Sequence, residues 1–512
     1  MSGNLFTHFR AGFSASAPFL TTVAGGCTTY GDMLAATAQL AGLLRKRGVT
    51  PGARVAVQVE KSERGLLLYL ACLRVGAIYL PLNPAYTDAE IGYFLKDAEP
   101  HLFVCDPARS GTLEKVAAEA SVSGVETLDP SGEGSLATAA PAMPADFKDV
   151  AVGPNDIAAI LYTSGTTGRS KGAVLTHDNL RDNADALVGC WRFTSSDVLL
   201  HALPIFHTHG LFVATNVMLA AGGSMLLMPR FDAADVLAAL PRATVMMGVP
   251  TFYTRLLAQA ELTRTRVANI RVFISGSAPL TAETHKAFRE CTGHAILERY
   301  GMTETNMITS NPYDGERRPG SVGMPLPGMA LRIADPETGR VLPIGEAGVI
   351  EVCGPSVFAG YWRNPEKTKA EFRDDGYFIT GDVGRVSPDG YVSIVGRAKD
   401  LVISGGLNVY PSEVETLLDA MPELAESAVI GVPHADFGEA VTAVVVGRKG
   451  SAADEETVRQ RLAVSLAKFK VPKRVVFVDQ LPRNVMGKIQ KNVLRETYRD
   501  LYAEPVRKAG HG

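Results

Sequence analysis

Apolar and polar positions alternate along the first part of the chain in two different periods. Apolar residues recur at helical spacing in residues 32–47 and 66–75. Short, nearly continuous apolar runs at 54–59, 77–82 and 157–161 predict buried strands. Because the helical and strand patterns follow one another in turn, they predict parallel sheets with crossover helices, that is, doubly wound β/α layers.

The pattern changes along the rest of the chain. The most apolar long stretch, 211–228, is interrupted by polar and glycine residues, so it predicts a buried helix turning into a strand and no membrane span. Residues 107–154 are rich in Ala, Gly, Ser and Pro and predict a surface helix with loops. From about Gly320, short strand patterns such as 349–352 alternate with turn signals, which predicts a small β-barrel-like subdomain.

Beyond Arg397 the pattern returns to mixed α and β, with helices predicted at 412–419 and 454–466. We therefore predict an α/β fold with two domains, a large N-terminal domain (1–398) and a small, mobile α+β C-terminal domain (399–512). A chain of 512 residues is too long for one ordinary core, which agrees with this division.

Composition narrows the class of protein. Hydrophobic residues make up 46% and charged residues 21% of the chain, which is typical of a globular protein, and the net charge of −3 disfavours nucleic acid as a partner. The six cysteines form no CxxC pair, so reduced thiols are expected and structural zinc is not. The N-terminus lacks the basic start and apolar run of a secretory signal, and we expect a cytoplasmic protein.

Residues 162–172 read YTSGTTGRSKG and follow a predicted buried strand. This segment holds three glycines, six hydroxyl residues and two cations, Arg169 and Lys171. Glycines let backbone N–H groups converge on an anion, while hydroxyls and cations add donors and charge. The segment predicts a phosphate-binding loop, although its spacing differs from that of the common nucleotide-triphosphate loop. A flexible surface loop is the alternative.

Two later segments carry aromatic, hydroxyl and carboxylate groups after predicted strands. In YGMTET (300–305), Tyr300 could stack on a base, a threonine could contact phosphate and Glu304 could hold Mg²⁺; a threonine-capped helix is the alternative. In YFITGD (377–382), the predicted strand ends at Asp382, whose carboxylate could bind the hydroxyls of a ribose. A solvated aspartate in a turn would look the same.

Two segments lie at and beyond the predicted domain boundary. GRAKD (396–400) leads to the paired glycines Gly405 and Gly406, which suggests a hinge and a mobile loop, with a plain hairpin turn as the alternative. Near the end of the chain, PRNVMGK places Lys488 after a glycine. Taken alone, such a lysine is usually an idle surface residue.

The order of these motifs resembles that of the AMP-forming adenylating enzymes, which include acyl-CoA synthetases, peptide-synthetase adenylation domains and beetle luciferases. The resemblance runs from about Thr29 to Leu494. It implies that the protein uses ATP, Mg²⁺ and, as co-substrate, coenzyme A. It also implies an acyl-adenylate intermediate and a rotation of the C-terminal domain between two half-reactions.

The resemblance implies a role for each matching residue. Thr303 and Glu304 would serve the phosphate and Mg²⁺, with Glu304 as the metal ligand. Lys488 would bridge the acid carboxylate and the α-phosphate, and His207 would be a further catalytic residue near the reacting carboxylate. Lys399 would be the hinge, and Gly405 and Gly406 would form the coenzyme A loop. The implied ATP-binding residues are Thr163, Ser164, Gly165, Thr166, Thr167, Gly168, Lys171, Ser277, Ala278, Pro279, Tyr300, Gly301, Met302, Thr303, Asp382 and Arg397.

The region that holds the substrate ammonium in amino-acid-adenylating relatives, 206–212, contains no Asp or Glu, so an amino acid is disfavoured. No motif for a carrier domain follows. Arg255 lies in an apolar helical context, and Arg299 precedes YGMTET. A buried arginine is costly unless paired, so either one suggests an anionic ligand group. The alternative is an arginine paired to a structural carboxylate such as Glu298.

The segments HALPIFHTHGLF, VPTFYTRLL and ERYGMTETNM resemble those of malonyl-CoA synthetases. This resemblance implies malonate as the acid, with methylmalonate as a second candidate. The implied acid-binding residues are Arg255, first for the distal carboxylate, His207 and Ser277 near the reacting one, Thr208 and Met302 as limits on size, and Arg299. The alternatives are a short- or medium-chain fatty acyl-CoA synthetase and a non-catalytic nucleotide-binding protein.

Overall fold

The computed structural model describes residues 3–163, 170–404, 407–434, 436–448, 450–451, 453–484 and 487–503, without the side chains of 399, 407 and 408. The strands are β1 (Pro18–Thr22), β2 (Cys27–Thr29), β3 (Arg54–Gln58), β4 (Ile78–Pro81), β5 (Leu102–Cys105), β6 (Gly124–Thr127), β7 (Ile157–Thr163), β8 (Lys171–Thr176), β9 (Val198–His201), β10 (Ser224–Leu227), β11 (Val245–Gly248), β12 (Val272–Ser275), β13 (Leu297–Met302), β14 (Asn306–Ser310), β15 (Met324–Pro325), β16 (Ala330–Ala334), β17 (Gly348–Cys353), β18 (Gly360–Tyr361), β19 (Phe378–Val386), β20 (Val392–Arg397), β21 (Val402–Ser404), β22 (Leu407–Val409), β23 (Leu424–His434), β24 (Gly438–Gly447) and β25 (Arg474–Phe477).

The α-helices are α1 (Leu5–Arg10), α2 (Tyr30–Lys46), α3 (Glu63–Val75), α4 (Asp88–Ala98), α5 (Ser110–Glu119), α6 (Ser135–Ala139), α7 (His177–Trp191), α8 (Asn216–Ala221), α9 (Ala233–Ala239), α10 (Pro250–Leu257), α11 (Ala282–Thr292), α12 (Pro365–Ala370), α13 (Pro411–Asp419), α14 (Glu455–Ser465) and α15 (Lys491–Thr497). A π-helix, His209–Thr215, precedes α8, and a 3₁₀ turn, Ala398–Asp400, follows β20. None of the described helices is both long and apolar enough to cross a bilayer.

Two large sheets organise the N-terminal domain. One has the order β18-β8-β7-β4-β3-β5-β6, and the other β15-β14-β13-β12-β11-β9-β10-β1-β2. Inside each sheet the strand pairs are parallel, whereas antiparallel pairs such as β7–β8 and β13–β14 lie toward the ends. Central strands such as β4 and β12 are buried along their whole length, as expected for sheets covered on both faces. The predicted doubly wound layers are confirmed.

Local sequence signals set the helix ends. Thr29 caps α2 and exchanges hydrogen bonds with Asp32, and Thr176 does the same for α7 with Asn179. At the other end, α3 terminates at Gly76, which adopts the left-handed conformation (φ 73°). The strands and helices predicted at residues 32–82 and 157–161 are confirmed within a few residues of their observed ends.

The β-rich subdomain is a four-stranded antiparallel sheet, β16-β17-β19-β20, where the sequence predicted a barrel-like unit. Two details of the predicted secondary structure are wrong. The region 107–154 contains a strand, β6, besides the predicted surface helix α5. The strand predicted to end at Asp382 continues to Val386 as β19, and its ladder with β20 shifts register after Val383. Asp382 therefore lies within β19, inside the sheet, and not in a turn at the end of the strand.

The C-terminal domain has a sheet of its own. Strands β22, β21, β24 and β23 pair in this order, and β25 joins β24 in parallel. Helices α13, α14 and α15 flank this sheet, and its buried residues form clusters separate from those of the large domain. The predicted helices at 412–419 and 454–466 correspond to α13 and α14.

Candidate active site

The predicted phosphate loop joins two antiparallel strands. Thr163, the last residue of β7, pairs with Lys171, the first residue of β8. The ammonium group of Lys171 lies 3.8 Å from the carboxylate of Glu371 and 5.1 Å from the centre of the Tyr361 ring. The predicted phosphate-binding residues Ser164, Gly165, Thr166, Thr167 and Gly168 fall outside the described residues.

Glu304 is buried near Thr163 at the end of β7 and is held by hydroxyl groups. Tyr361 donates a hydrogen bond to Oε1 of Glu304 (3.1 Å), and the hydroxyl of Thr163 lies 3.4 Å from the same oxygen. Tyr361 also lies 2.5 Å from Oε2 of Glu371. Burial, with Glu371 nearby, raises the pKa of Glu304. A cation at this position would stabilise the ionised carboxylate.

A second group of polar side chains gathers where β13, β19 and β20 meet. Tyr300 donates a hydrogen bond of 2.6 Å to Oδ2 of Asp382. Arg397 lies opposite Asp382 in the β19–β20 ladder, and its Nε is 3.0 Å from Oδ1. Burial and the Asp382 carboxylate raise the pKa of Tyr300, so the phenol stays protonated. An aromatic ring, a carboxylate and a guanidinium are thus brought together, as the sequence predicted for a nucleotide.

Arg299 is the most deeply buried charge of the region, with 3% of its surface exposed. Its Nε and Nη2 atoms are buried without a hydrogen-bond partner among the described residues. Desolvation lowers the pKa of Arg299 to about 9. A buried guanidinium with two open nitrogens is costly, and it is suited to receive a carboxylate in a two-pronged hydrogen bond.

Glu298 does not form the ion pair that was the alternative explanation for Arg299. As successive residues of β13, the two side chains point to opposite faces. Oε1 of Glu298 accepts a hydrogen bond from the backbone N–H of Leu280 (3.1 Å), whereas Oε2 has no partner among the described residues. Desolvation raises the pKa of Glu298 to about 8, so this carboxyl is largely protonated at neutral pH.

The predicted acid-binding residues His207 and Ser277 lie on two segments that approach Arg299. Desolvation, followed by the charges of Arg299 and Lys488, lowers the pKa of His207 to about 4, so its imidazole is neutral. Ser277 adopts a left-handed conformation (φ 73°), and its hydroxyl is 3.1 Å from Nδ1 of His209. Thr208 Oγ1 and His209 Nε2 are buried and without partners among the described residues. Several unsatisfied polar groups therefore surround the Arg299 guanidinium.

Arg299, His207, His209 and Ser277 form the acid cluster. Lys488, from the C-terminal domain, lies near it. Its backbone N–H donates to Oδ1 of Asn484 (2.9 Å), and its charge is near enough to depress the pKa of His207. The preceding Gly487 (φ 75°) packs so closely on α10 that a Cβ there would lie 3.2 Å from the side chain of Thr251. The lysine and the acid cluster thus share one site across the two domains.

Arg255 lies on α10, between the buried residues Tyr253 and Leu256. Its side chain is exposed, so the expectation of an arginine in an apolar environment is wrong for this residue. It follows Thr251 by four positions and lies on the same helical face, the one that approaches Gly487. Arg255 is therefore at the rim of the site, while Arg299 occupies its interior.

The other predicted residues lie around these groups. Ala278 and Pro279 follow Ser277 in the loop before α11, Gly301 and Met302 end β13, and half-buried Thr303 begins the turn to β14. Gly405 and Gly406 are outside the described residues, and Lys399 is described only as part of the 3₁₀ turn. Tyr361 and Glu371 were not predicted, because each contributes through contacts between distant segments. His209, a polar residue beside Thr208 near the expected acid pocket, contacts Ser277.

In the described part of the chain, no three or more His, Cys, Asp and Glu side chains are grouped so that they could hold a metal ion. Glu304 lies among hydroxyl groups, and the carboxylate of Glu371 contacts the same Tyr361 hydroxyl. Such a site suits a hard cation that takes most of its ligands from a phosphate substrate and water.

Comparison with known proteins gives a consistent assignment. The AMP-binding enzyme family matches residues 11–362, more than half of the chain, and the AMP-binding enzyme C-terminal domain matches 413–488. Among solved structures, ATP-bound MatB from Rhodopseudomonas palustris is 58% identical with a TM-score of 0.96, covering 98% of this chain and 100% of that one.

Two relatives resemble the chain over most of its length. A feruloyl-CoA synthase from an Amycolatopsis species is 37% identical over 488 residues, which are 94% of this chain and 96% of that protein. A malonate–CoA ligase from Arabidopsis thaliana is 32% identical over 550 aligned residues, covering 97% of this chain and 89% of that protein. The chain is a member of the AMP-binding enzyme family.

Proposed function

We propose that the protein is a malonate–CoA ligase that converts malonate, ATP and coenzyme A into malonyl-CoA, AMP and pyrophosphate. The observation that carries this proposal is the buried guanidinium of Arg299, whose two open nitrogens lie in the acid cluster. The similarity to MatB and to the malonate–CoA ligase of Arabidopsis thaliana supports the same substrate. Methylmalonate is a second candidate, since one methyl group changes discrimination by only about 1–3 kcal/mol.

The charge of the cluster favours a dicarboxylate over a fatty acid. A monocarboxylate can place its single charge near Lys488, but its apolar tail would leave the Arg299 guanidinium buried and unpaired. Such an unpaired charge costs several kcal/mol. Malonate brings a second carboxylate, which Arg299 can bind with two hydrogen bonds while exposed Arg255 contributes from the rim. Thr208 and Met302 would limit the size of the acid.

In the first half-reaction, a carboxylate oxygen of malonate attacks the α-phosphorus of ATP. The new O–P bond forms as the bond between the α-phosphorus and the bridging oxygen breaks, and pyrophosphate leaves with that electron pair. Two anions must approach each other, and the ammonium of Lys488 offsets their repulsion. Neutral His207 can hydrogen-bond the reacting carboxylate without adding charge.

ATP would lie along the two polar groups that flank the acid cluster. The ring of Tyr300 and the loop Ser277–Ala278–Pro279 would frame the adenine, and Asp382 with Arg397 would hold the ribose. Thr163, Lys171 and residues 164–168 would hold the terminal phosphates. Glu304 fits a Mg²⁺ ion, because burial raises the pKa of its carboxyl and a neighbouring cation would favour the ionised form. That ion would screen the phosphate oxygens.

In the second half-reaction, the thiol of coenzyme A attacks the acyl carbon of malonyl-AMP. The C–S bond forms, the C–O bond to phosphate breaks, and AMP leaves while the thiol proton passes to solvent or buffer. We propose that the C-terminal domain, 399–512, turns about Lys399 to withdraw Lys488 and bring Gly405 and Gly406 to the site. The influence of the Lys488 charge on the pKa of His207 supports assigning the present arrangement to the first half-reaction.

Pyrophosphate release tests this proposal. The purified protein is incubated with ATP, Mg²⁺, coenzyme A and one acid at a time: malonate, methylmalonate, succinate, acetate or octanoate. We expect malonate to give the highest kcat/KM. A preference for acetate or octanoate would leave the adenylation chemistry in place and reject the dicarboxylate site.

A further inference from the structure

A lysine is buried behind the acid cluster, away from the proposed reacting atoms. Lys61 follows β3 and precedes α3, with 6% of its surface exposed. Its Nζ donates one hydrogen bond to Nδ1 of His201 (2.8 Å) and a second to the backbone oxygen of the same residue (2.7 Å). In the described part of the chain, no carboxylate lies within ion-pair distance of this amine. Lys61 is thus attached to the last residue of β9 only through neutral groups.

The partners of His201 fix its tautomer. Its Nε2 lies 3.0 Å from the backbone oxygen of Gly210, which can only accept a hydrogen bond, so Nε2 carries the proton. Nδ1 therefore presents a lone pair, and Lys61 is the donor to it. Protonation of His201 would place two donors opposite each other, and burial already lowers its pKa well below the ordinary value. The chain of hydrogen bonds runs in one direction, from Lys61 through His201 to Gly210.

Gly210 lies in the first turn of the π-helix His209–Thr215, and its backbone oxygen accepts two hydrogen bonds, the first from Nε2 of His201. The hydroxyl of Thr215 also donates to this oxygen (3.0 Å). A Cβ on Gly210 would lie 2.0 Å from the backbone oxygen of Pro204, so the helix start is pressed against the loop after β9. The π-helix is a rare conformation that occurs mostly at functional sites.

The residues at the start of this π-helix form part of the acid cluster. His209 is the residue before Gly210, and its Nδ1 contacts Ser277. The backbone oxygen of His207 accepts a hydrogen bond from the N–H of Leu211 (3.0 Å). A displacement of Gly210 would therefore move both histidines relative to Arg299. Most of the nucleotide-binding groups, by contrast, lie on β7, β8, β13, β19 and β20, which take no part in this chain of hydrogen bonds. The loop that begins at Ser277 is the exception, because Ser277 contacts His209.

We propose that Lys61 is a positioning residue for acid binding: acting through His201, it fixes the start of the π-helix and with it the walls of the acid pocket. An apolar residue would fill the same space at a lower desolvation cost. It would, however, leave the buried Nδ1 of His201 without a donor, and the backbone oxygen of His201 would keep only the hydrogen bond from the N–H of Met228. The inference rests on the proposed function only in taking this cluster as the acid site.

The test is the substitution Lys61→Met, assayed with whichever acid of the panel the wild-type protein turns over best. We expect the KM for that acid to rise about tenfold, while kcat and the KM for ATP stay within about twofold. Lys148→Met, at an exposed lysine, is the matched control and should change none of these constants. A second variant, Thr215→Val, removes one of the two donors to the Gly210 oxygen and should raise the same KM by a smaller factor.

The outcomes separate this inference from the proposed function. If Lys61→Met is folded and its KM for the acid is unchanged, or if only kcat falls, Lys61 has no positioning role. Should Lys61→Met fail to fold, an unchanged KM in Thr215→Val overturns the proposal and a raised one supports it. A preferred acid other than malonate rejects the proposed substrate but leaves this test valid. A wild-type protein that turns over no acid of the panel overturns both.

Discussion

The guanidinium of Arg299 lies directly against the backbone of Gly276. A Cβ built on Gly276 would come within 2.4 Å of the Arg299 Cζ atom and 2.5 Å of Nη1, closer than any real carbon contact. Gly276 follows β12 and Arg299 lies in β13, so the two neighbouring strands leave just enough room for the planar group. The position of the buried charge is therefore set by the absence of a side chain at 276.

Replacing Gly276 by alanine should displace Arg299 from the acid cluster. Because the guanidinium of Arg299 packs against the backbone of residue 276, a Cβ there would force it to move and to lose its alignment with the pocket. We expect the KM for the acid to rise about tenfold or more, with a smaller effect on the KM for ATP. Gly111→Ala on α5, where a Cβ would meet nothing within 4 Å, is the control and should behave as wild type. Wild-type kinetics in Gly276→Ala would disprove the role given to Arg299.

Matched substitutions can separate the contributions of Arg299 and Arg255 to acid binding. Arg299→Gln removes the interior charge and Arg255→Gln the rim charge. We expect the interior change to lower kcat/KM for malonate at least ~10²-fold, since removal leaves a buried carboxylate without its charged partner. The rim change should cost about tenfold or less, because solvent screens an exposed charge. A larger loss in Arg255→Gln would make Arg255 the principal ligand of the distal carboxylate, as the sequence alone suggested.

Lys488→Ala should separate the two half-reactions. Without the ammonium group, the approach of two anions is no longer stabilised, and we expect acid-dependent pyrophosphate release to fall ~10²–10³-fold. Thioester formation from supplied malonyl-AMP and coenzyme A should change by less than about threefold. Exposed Lys115, replaced by alanine, serves as the control. An equal loss in both half-reactions would contradict the role assigned to Lys488.

Glu298 should make stability depend on pH. In the unfolded chain it ionises near its ordinary pKa of about 4.3, whereas burial raises the folded-state pKa to about 8. Between these values the folded protein binds more protons than the unfolded chain. The free energy of unfolding contributed by this group therefore falls as pH rises from about 4 to about 8, by up to about 5 kcal/mol, and then levels off.

Denaturant unfolding of Glu298→Gln and wild type at several pH values measures this contribution. The amide is neutral at every pH and can still accept the hydrogen bond from Leu280. The stability of the variant relative to wild type should therefore increase between about pH 5 and pH 8. Glu290→Gln, at an exposed position on α11, should show no such trend. A pH-independent difference for Glu298→Gln would mean that this carboxyl is ionised throughout.

Patterns that reflect burial along one element were predictable from the sequence. Strand β7 and helix α2 follow directly from the spacing of apolar residues, because each side chain's environment repeats with the period of its own element. The ordered motifs around Tyr300 and Asp382 also predicted a nucleotide site, and these two side chains are joined by a hydrogen bond. The role of each residue there stays a prediction.

Features that depend on contacts between distant segments were not predictable. Arg255 and Arg299 both have apolar neighbours in the sequence. Arg255 nevertheless faces solvent, because the face of α10 that carries Tyr253 and Leu256 is the one that packs into the core. Gly381 is typical of a turn, yet it adopts φ 70° inside β19, so the strand continues past Asp382. Lys61 and His201 are separated by 140 residues, and no local pattern links them.

A competition experiment among acids decides whether malonate is the substrate. The protein is given ATP, Mg²⁺ and coenzyme A with an equimolar mixture of malonate, methylmalonate, succinate, acetate and octanoate, and the thioesters and nucleotides are identified by mass spectrometry. We expect malonyl-CoA as the main thioester, with AMP in equal amount. Acetyl-CoA or octanoyl-CoA as the main product, or ADP in place of AMP, would contradict it.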